Sequence, residues 1–458
     1  MYKNFLSLRY LRRRRTNWIG TAGIAIAVAA LILILSIMSG FLEESRSILR
    51  GSLSDVLIQP NTFRPLADGT RIPTRPDRHL EVVRSDPRVA GACAQIQHQA
   101  IIRMRGRGAL ANSPDRREAS QVQLIGIDIP DEYQATELRA ALEAPSLWGS
   151  QRPASLDDPF APPPGYDPAG RDSRPLERVI IGEQLAHAWY LSTGDEIDVV
   201  TMSQAAVDND TFEVSNQRYV VAGTFRSGDN EMDLGRMYME REVLADLLGE
   251  TDYFTHVLVE LKDYEADAEA FVTELHQKLF DEGLAHDPQR YSEEVKTWEQ
   301  FKKIFLAAVE NEKSLMGIML SLVMVVAGFT VFALLSMMVS EKRRDIGILS
   351  ALGANSPGIL TVFVLIGFWQ ALLGAALGAI AGVWAALKID PIERWLSSTF
   401  GIEIFNREVY YFDHIPSVIE PVGVALIVLG AFVCTLLFAA IPALRAARMH
   451  PIDALRYE

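Results

Sequence analysis

Cysteine and recognisable catalytic motifs are both scarce in this chain of 458 residues. Cys93 and Cys434 are the only cysteines, so disulfide bonds are not expected to hold the fold together. The sequence has no GxxxxGK(S/T) loop, no HExxH or GxSxG motif, and no cysteine and histidine cluster with metal-ligand spacing. We therefore expect no catalytic residue, no bound cofactor, no metal site and no nucleic-acid partner.

Charge is missing altogether from four long apolar stretches of the sequence. Each exceeds the roughly 20 residues that a helix needs to cross a hydrocarbon core about 30 Å thick. An Asp, Glu, Lys or Arg at the centre of such a helix would cost about 2.5–3.5 kcal/mol. The pattern predicts four transmembrane helices at residues 18–42, 314–340, 359–387 and 421–444.

The distribution of charge between the four stretches predicts their orientation. The lead at residues 1–17 is basic, and the loop at 341–358 and the tail at 445–458 each have a small positive balance. The region between the first two stretches holds 29 Lys+Arg against 48 Asp+Glu. Because short basic segments mark the cytoplasmic side, both termini are predicted to be cytoplasmic and the large acidic region periplasmic. A cleaved signal peptide is the alternative for the first stretch, but its apolar run is too long.

The acidic region at residues 43–313 reads as a mixed α/β domain. Alternating or β-branched runs predict strands, and 3.6-residue periodicity predicts helices such as 183–191 and 263–280. Pro-rich stretches at 60–76 and 145–175 predict polar loops, and we expect an inserted subdomain at about 145–249. The segment from Tyr291 to Leu315 is predicted as one helix continuing into the second membrane span. The loop at 388–420 is predicted to lie on the same side as the domain.

The third stretch contains two overlapping GxxxG repeats, formed by Gly374, Gly378 and Gly382. Small residues on one face of a helix let two backbones approach closely in lipid. The pattern predicts tight helix packing in preference to a substrate site. Gln370, a strongly polar residue in the same stretch, is expected to bond to a neighbouring helix.

The loop between the second and third stretches predicts a short amphipathic helix. Ile346, Leu349 and Leu352 recur on one face, Ile348 and Leu352 are spaced four residues apart, and charged residues begin the segment. Such a helix either lies on the membrane surface or enters a groove of a partner protein. The residues assigned to it are Glu341, Lys342, Arg343, Arg344, Asp345, Ile346, Ile348, Leu349, Ala351, Leu352 and Gly353.

Long segments of the chain resemble a known transporter family. EKRRDIGILSALGA is similar to the coupling helix of MacB-type and FtsX-type permeases, and VIIGEQLAHAWYLSTGDEIDVVT, VVAGTFRSGDNEMD and PALRAARMHPIDALRYE resemble the lipoprotein-releasing (Lol-type) branch. The resemblance implies four transmembrane helices with a MacB-like periplasmic core in the inner membrane. The Pro-rich stretches look expanded, and the sequence contains no recognisable counterpart of the protruding loop by which one Lol-type subunit recruits a periplasmic carrier.

The resemblance also implies partners and a cargo site. An ABC ATPase subunit would bind ATP and Mg, a second permease (the same chain or a paralogue) would complete the membrane part, and an acylated lipoprotein would be the substrate. Membrane lipid and a periplasmic carrier are further expected partners. The acyl chains would enter between the first and second spans of the two permeases, against Met38, Phe41, Leu42, Val325, Phe329 and Phe332.

Two other functions remain open from the sequence. A MacB-type pump exports peptides, toxins or drugs, and its chain commonly has the ATPase fused at the N-terminus. An FtsX-type relay activates a cell-wall hydrolase through an outer domain that is usually much smaller than the one here. Extraction of lipoproteins from the cytoplasmic membrane, for transfer toward the outer membrane, is the leading hypothesis.

Overall fold

The computed structural model describes residues 7, 9, 15–62, 64–66, 69–73, 75–104, 119–166, 176–202, 214–250, 253–351, 354–401 and 414–449. These residues divide into two compact units. One is helical and contains residues 15–44, 304–401 and 414–449. The other contains the described residues of 45–303 and is a mixed α/β domain. The predicted fold class, a four-span membrane protein with a large α/β domain, is confirmed.

Four helices of the structure are long and apolar enough to cross a membrane. We call them spans one to four. One shorter helix lies between spans two and three, and another lies between spans three and four. Their bounds are α1 Arg15–Leu53 (span one), α10 Lys303–Glu341 (span two), α11 Arg343–Ala351, α12 Ser356–Leu387 (span three), α13 Ile389–Phe400 and α14 Pro421–Ala447 (span four). Helix α13 occupies part of the predicted loop 388–420.

Two predicted segments lie largely outside the described residues. The basic lead helix at residues 1–17 is described continuously only from Arg15, where α1 begins. The cytoplasmic tail at 445–458 is described only to Met449. Their assignments stay predictions.

The α/β unit contains nine described strands and several short helices. The strands are β1 Val56–Ile58, β2 Val89–Met104, β3 Ser120–Ile127, β4 Glu177–Gly182, β5 Glu196–Met202, β6 Val214–Phe225, β7 Arg236–Glu240, β8 His256–Leu261 and β9 Val295–Thr297. The helices are α2 Asp77–Arg84, α3 Ile129–Ala135, α4 Leu138–Glu143, α5 Glu183–Trp189, α6 Asn230–Gly235, α7 Arg241–Leu248, α8 Tyr264–Asp281 and α9 Trp298–Phe301.

Six of these strands close into a barrel. Their order is β3-β7-β4-β6-β5-β2, and a further pairing of β2 with β3 completes the ring. Closure removes the exposed strand edges that would otherwise pair with other chains. Apolar side chains from the strands pack together with Leu185 and Trp189 of α5 and Leu244 of α7.

The long strand β2 joins the barrel to a second sheet. Its first half, from Val89 to Gln95, pairs with β8, and β8 continues through β1 to β9. Helices α2 and α8 cover this sheet, and Phe254 and Phe271 are fully buried in its core. One strand therefore contributes to both hydrophobic cores of the α/β unit.

The predicted insertion at 145–249 differs from the observed division of the domain. The core of the barrel starts at Ile96 and ends at Tyr253, so the second half of β2 and all of β3 belong to it. The prediction began too late because β2 has no strong strand signal. Its sequence, VAGACAQIQHQAIIRM, has four Ala and one Gly, and both residue types have low intrinsic preference for strands.

The predicted helix from Tyr291 to Leu315 is wrong in its first part. Val295–Thr297 is strand β9, paired with β1. The Thr297 side chain then accepts a hydrogen bond from the backbone N–H of Gln300, and the Gln300 side chain accepts one from the N–H of Thr297. This capping box starts α9, and α10 begins only at Lys303. Helical spacing of the aromatic residues misled the prediction.

Candidate functional site

The glycine face of span three packs directly on span one. A Cβ added at Gly378 would lie 2.6 Å from the Ala25 carbonyl oxygen and 2.8 Å from the Val28 Cβ. One turn away on either side, a Cβ at Gly374 would lie 2.8 Å from the Ile24 Cβ, and one at Gly382 would lie 3.0 Å from the Ala29 Cα. Because hydrogen is the only side chain that fits, these glycines allow the backbones to approach closely.

Gln370 makes the polar contact that accompanies this packing. Its side chain is fully buried, and Nε2 donates a hydrogen bond of 3.3 Å to the Asn17 carbonyl oxygen on span one. An amide inside a membrane helix needs such a partner because lipid offers none. Spans one and three are therefore held together both by close packing at the glycine face and by a hydrogen bond.

Only part of the predicted apolar face of helix α11 is exposed to solvent. Ile346, predicted to be part of the free apolar face, is only 2% exposed and packs in the core of the helical unit. Leu349 is half-buried, whereas Ile348 is 44% exposed and Arg344 is exposed on the same side, four residues earlier. The face open to a partner is therefore that of Arg344 and Ile348.

The remaining residues assigned to this loop surround that face. Glu341 is exposed at the end of span two, and Arg343 is half-buried. Lys342 Nζ lies 2.7 Å from Asp345 Oδ2, an ion pair one turn apart. Ala351 ends α11, and Leu352 and Gly353 lie outside the described residues.

Span two has a long section with no buried residue. From Glu310 to Val326 every residue is half-buried or exposed, although the section belongs to an apolar membrane helix. Its largest exposed side chains, between 60% and 71% exposed, are those of Leu315, Ile318, Met319 and Leu322. We call these four residues the bare stripe. In a membrane such a stripe contacts lipid, a partner subunit or an apolar cargo.

The predicted acyl-chain residues do not form one site. A Cβ at Gly20 would lie 3.1 Å from Leu334 Cδ1, which places Gly20 level with that part of span two. At about 1.5 Å per residue, Met38 is then about 27 Å further along span one, whereas Phe329 is only about 8 Å along span two. Phe41 and Leu42 lie with Met38, but Phe329 and Phe332 lie in the C-terminal half of span two, far from that depth.

Two of those side chains have aromatic partners of their own. The Phe329 ring centroid is 5.4 Å from that of Phe332 and 6.4 Å from that of Phe438 on span four. Val325, on the same half of the helix, is 42% exposed. The prediction failed because sequence shows which residues are apolar but not how far one antiparallel helix is displaced along another. The bare stripe, at the depth of Met38, was missed for the same reason.

We call the two ends of the spans by their connections along the chain. Spans one and two join the α/β unit at their domain-side ends, and α11 adjoins the loop-side ends. At the domain-side end, Lys313 Nζ on span two lies 2.8 Å from Glu420 Oε1, the residue before span four. Hydrogen bonds from Lys313 and Ser39 hold the pKa of the Glu420 carboxyl below its usual range.

The segment from Arg226 to Asp233, one of those carrying the family resemblance, is an ordered turn of the α/β unit. The Asp229 side chain accepts hydrogen bonds from the N–H groups of Glu231 and Met232 and so begins α6. Asp233 is fully buried and accepts bonds from the N–H and hydroxyl of Ser227. Burial raises the pKa of Asp233 from 3.8 to about 7. The folded chain therefore binds the Asp233 proton more tightly than the unfolded chain. The contribution of protonated Asp233 to the free energy of unfolding falls as pH rises between those two pKa values.

These features together define the class of the protein. Four membrane helices, a mixed α/β domain joined to the first two, and a short helix between the second and third are the parts of a membrane permease. The chain belongs to the family with a MacB-like periplasmic core domain, whose model matches residues 19–278. The model of the FtsX-like permease C-terminal region matches residues 317–451.

Relatives of known name extend this similarity over the full length. The chain is 28% identical to the lipoprotein-releasing system transmembrane protein LolC of Xylella fastidiosa (strain Temecula1), covering 99% of this chain and 98% of that protein. It is 22% identical to the corresponding LolE protein of Haemophilus influenzae, covering 98% of each. Similarity to the macrolide export protein MacB of Pectobacterium atrosepticum, at 31% identity, covers 29% of this chain and 18% of that protein.

Proposed function

We propose that this chain is a permease subunit that extracts lipoproteins from the cytoplasmic membrane for transfer toward the outer membrane. The observation that supports this most is the match to LolC, a lipoprotein-releasing protein, from one end of the chain to the other. The MacB-type alternative rests on a partial match only. The FtsX-type alternative rests on a family model that covers only residues 317–451.

The bare stripe gives the proposal a physical location for the cargo. Transfer of one acyl CH₂ from lipid to water costs about 0.8 kcal/mol, so bringing two or three chains into water would cost tens of kcal/mol. An extractor must therefore offer a second apolar surface. Leu315, Ile318, Met319 and Leu322 form such a surface, and they lie at the depth of Met38 and Phe41. We propose that this stripe replaces Phe329 and Phe332 as the acyl-chain site on span two.

The energy for this transfer would come from a separate ABC ATPase, which binds ATP and Mg. Its contact would be the exposed face of α11, with Arg344 and Ile348 entering a groove of the ATPase. A second permease, either this chain or a paralogue, would cover the other side of the cargo. The charge pattern supports cytoplasmic termini and a periplasmic α/β unit in the inner membrane. We assign recruitment of a periplasmic carrier to the complex as a whole and to no particular segment of this chain.

Depletion of the protein tests the function directly. When the chain is depleted, lipoproteins destined for the outer membrane should accumulate in the inner membrane, because the apolar path proposed for this chain would be lost. The measurement is separation of the two membranes followed by immunodetection of a lipoprotein and of an outer-membrane β-barrel protein as control. An unchanged lipoprotein distribution after depletion would exclude lipoprotein release as the function.

Substitution of Ile348 by aspartate should uncouple the permease from its ATPase. A charged side chain on the exposed face of α11 would be desolvated in the groove, and the penalty for a buried charge is several kcal/mol. Cargo-stimulated ATP hydrolysis by the purified complex should fall at least tenfold, since about 1.4 kcal/mol already corresponds to that factor.

Leu444→Asp provides the matched control for Ile348→Asp. Leu444 is 42% exposed near the loop-side end of span four, close to the 44% of Ile348, but it is not part of α11. It should leave stimulated hydrolysis near the wild-type rate. Equal effects of the two variants, or normal hydrolysis with Ile348→Asp, would contradict the proposed contact.

A further inference from the structure

The segment from Ile415 to Glu420, which we call the strap, is hydrogen-bonded to several parts of the helical unit. The Val418 N–H donates to the Ser36 carbonyl oxygen of span one at 2.9 Å. The Ser417 hydroxyl donates to the Ala386 carbonyl oxygen near the end of span three, also at 2.9 Å. The Ile415 N–H donates to Asp390 Oδ1 of α13. The strap is thus held at the domain-side ends of spans one and three.

Backbone packing strengthens the contact between the strap and span one. A Cβ added at Gly40 would lie within 2.6 Å of the Pro416 carbonyl carbon and oxygen. Such an approach is possible only at glycine, so the strap lies directly on the backbone of span one. Ser36 and Ser39, which precede Gly40 in span one, are both buried although they are polar. The strap and the end of span one therefore form one packed element.

Glu420 extends this element to span two. Its carboxylate accepts a hydrogen bond from the Ser39 hydroxyl of span one and lies 2.8 Å from Lys313 Nζ of span two. Lys313 is within the section of span two that has no buried residue, two positions before the bare stripe begins at Leu315. The three side chains, Ser39, Glu420 and Lys313, join the ends of the two helices beside the proposed acyl-chain site.

We propose that Lys313 and Glu420 are positioning residues that close the domain-side gap between spans one and two, and that their separation admits an acyl chain to the bare stripe. This inference rests on the proposed function, because it takes the gap as the path of the cargo. Neither charge can follow a chain into hydrocarbon without a large cost. The pair must therefore separate sideways, which moves the end of span two away from the strap.

The pair is suited to repeated opening. The Glu420 side chain is 54% exposed and the Lys313 side chain 28% exposed, so water replaces each partner when they separate. An exposed ion pair of this kind is weak compared with a buried one, where removal of a partner leaves a desolvated charge. The strap, by contrast, is held to span one by buried backbone contacts, and water cannot replace these when they are broken. Opening is therefore expected between span two and the strap.

The test is a distance measurement that does not need the cargo. Spin labels at Met38→Cys and Leu315→Cys, in a full-length chain with Cys93 and Cys434 replaced by alanine, report the gap between spans one and two in lipid nanodiscs. Lys313→Glu should shift the distance distribution to longer values by pulsed electron paramagnetic resonance. The double variant Lys313→Glu/Glu420→Lys should restore the original distribution, because the ion pair is re-formed with exchanged charges.

Ser417→Ala is the matched control, since it removes a hydrogen bond of the strap to span three and leaves Lys313 and Glu420 in place. It should not change the distance. An unchanged distribution with Lys313→Glu, or no recovery in the double variant, would overturn the proposal. Lipoprotein release by the complex should fall severalfold with Lys313→Glu and recover with the exchange. If the wild-type complex releases no lipoprotein, the proposed function fails, and the distance measurement still decides the role of the pair.

Discussion

Replacement of Gly378 by leucine should prevent stable assembly of the helical unit. The first added carbon would already lie 2.6 Å from the Ala25 carbonyl oxygen and 2.8 Å from the Val28 Cβ, and neither can move without displacing span one. Overpacking usually lowers the free energy of unfolding by about 1–3 kcal/mol. A side chain inserted between two backbones is expected to cost as much as the upper end of that range or more. We expect a melting temperature in detergent lowered by many degrees and loss of the complex on size-exclusion chromatography.

Gly317→Leu makes this prediction specific. Gly317 is also a glycine of a membrane span, but a Cβ added there meets nothing within 4 Å. It should tolerate leucine with little change in melting temperature, because the side chain extends into free space in the isolated chain. If Gly378→Leu and Gly317→Leu have the same melting temperature as the wild type, spans one and three are not packed through the glycine face.

Aspartate at Ile318 should block the release of lipoproteins while the complex still assembles and hydrolyses ATP at its basal rate. Ile318 lies in the middle of the bare stripe and is 66% exposed. A carboxylate there would have to be desolvated against the acyl chains. A loss of about 1.4 kcal/mol in cargo binding is already a tenfold loss in affinity, and desolvation of a charge costs more. Release of a purified lipoprotein from proteoliposomes should therefore fall at least tenfold.

Leu426→Asp separates an effect on the cargo from a general effect on membrane insertion. Leu426 is 64% exposed on span four and lies six residues after Glu420, as Ile318 lies five residues after its partner Lys313. The two aspartates therefore meet membrane of similar depth and have similar insertion costs. Only Ile318→Asp should abolish release. Loss of release in both variants would mean that the bare stripe has no special role.

Much of the architecture could be predicted because it depends on composition and short-range periodicity. The four apolar runs predict membrane helices since no other backbone arrangement of that length satisfies its hydrogen bonds in lipid. Strands such as β4 and β6 were predicted from β-branched residues that fit a pleated sheet. The capping box at Thr297 is also visible in the sequence, but the helical spacing of the neighbouring aromatic residues outweighed it.

Strand β2 and the barrel show where this kind of reasoning ends. The residues of β2 have little preference for a strand, and they become one because β3, β5 and β8 each supply backbone hydrogen bonds along its length. Two of those partners, β5 and β8, are distant in sequence. No local pattern indicates which strands will meet, and so neither the closure of the barrel nor the start of its core at Ile96 could be read in advance.

The sequence by itself determined the number of membrane spans, the segments that carry the family resemblance and the small-residue face of span three. These depend on hydropathy and on residues close together along the chain. The tertiary structure alone decided that Ile346 is buried and Ile348 exposed, that Phe329 lies far from Met38, and that Glu420 meets Lys313 and Ser39. The physical reason is that the rotation of a helix and its displacement along a neighbour are set by side-chain packing, which depends on residues hundreds of positions apart.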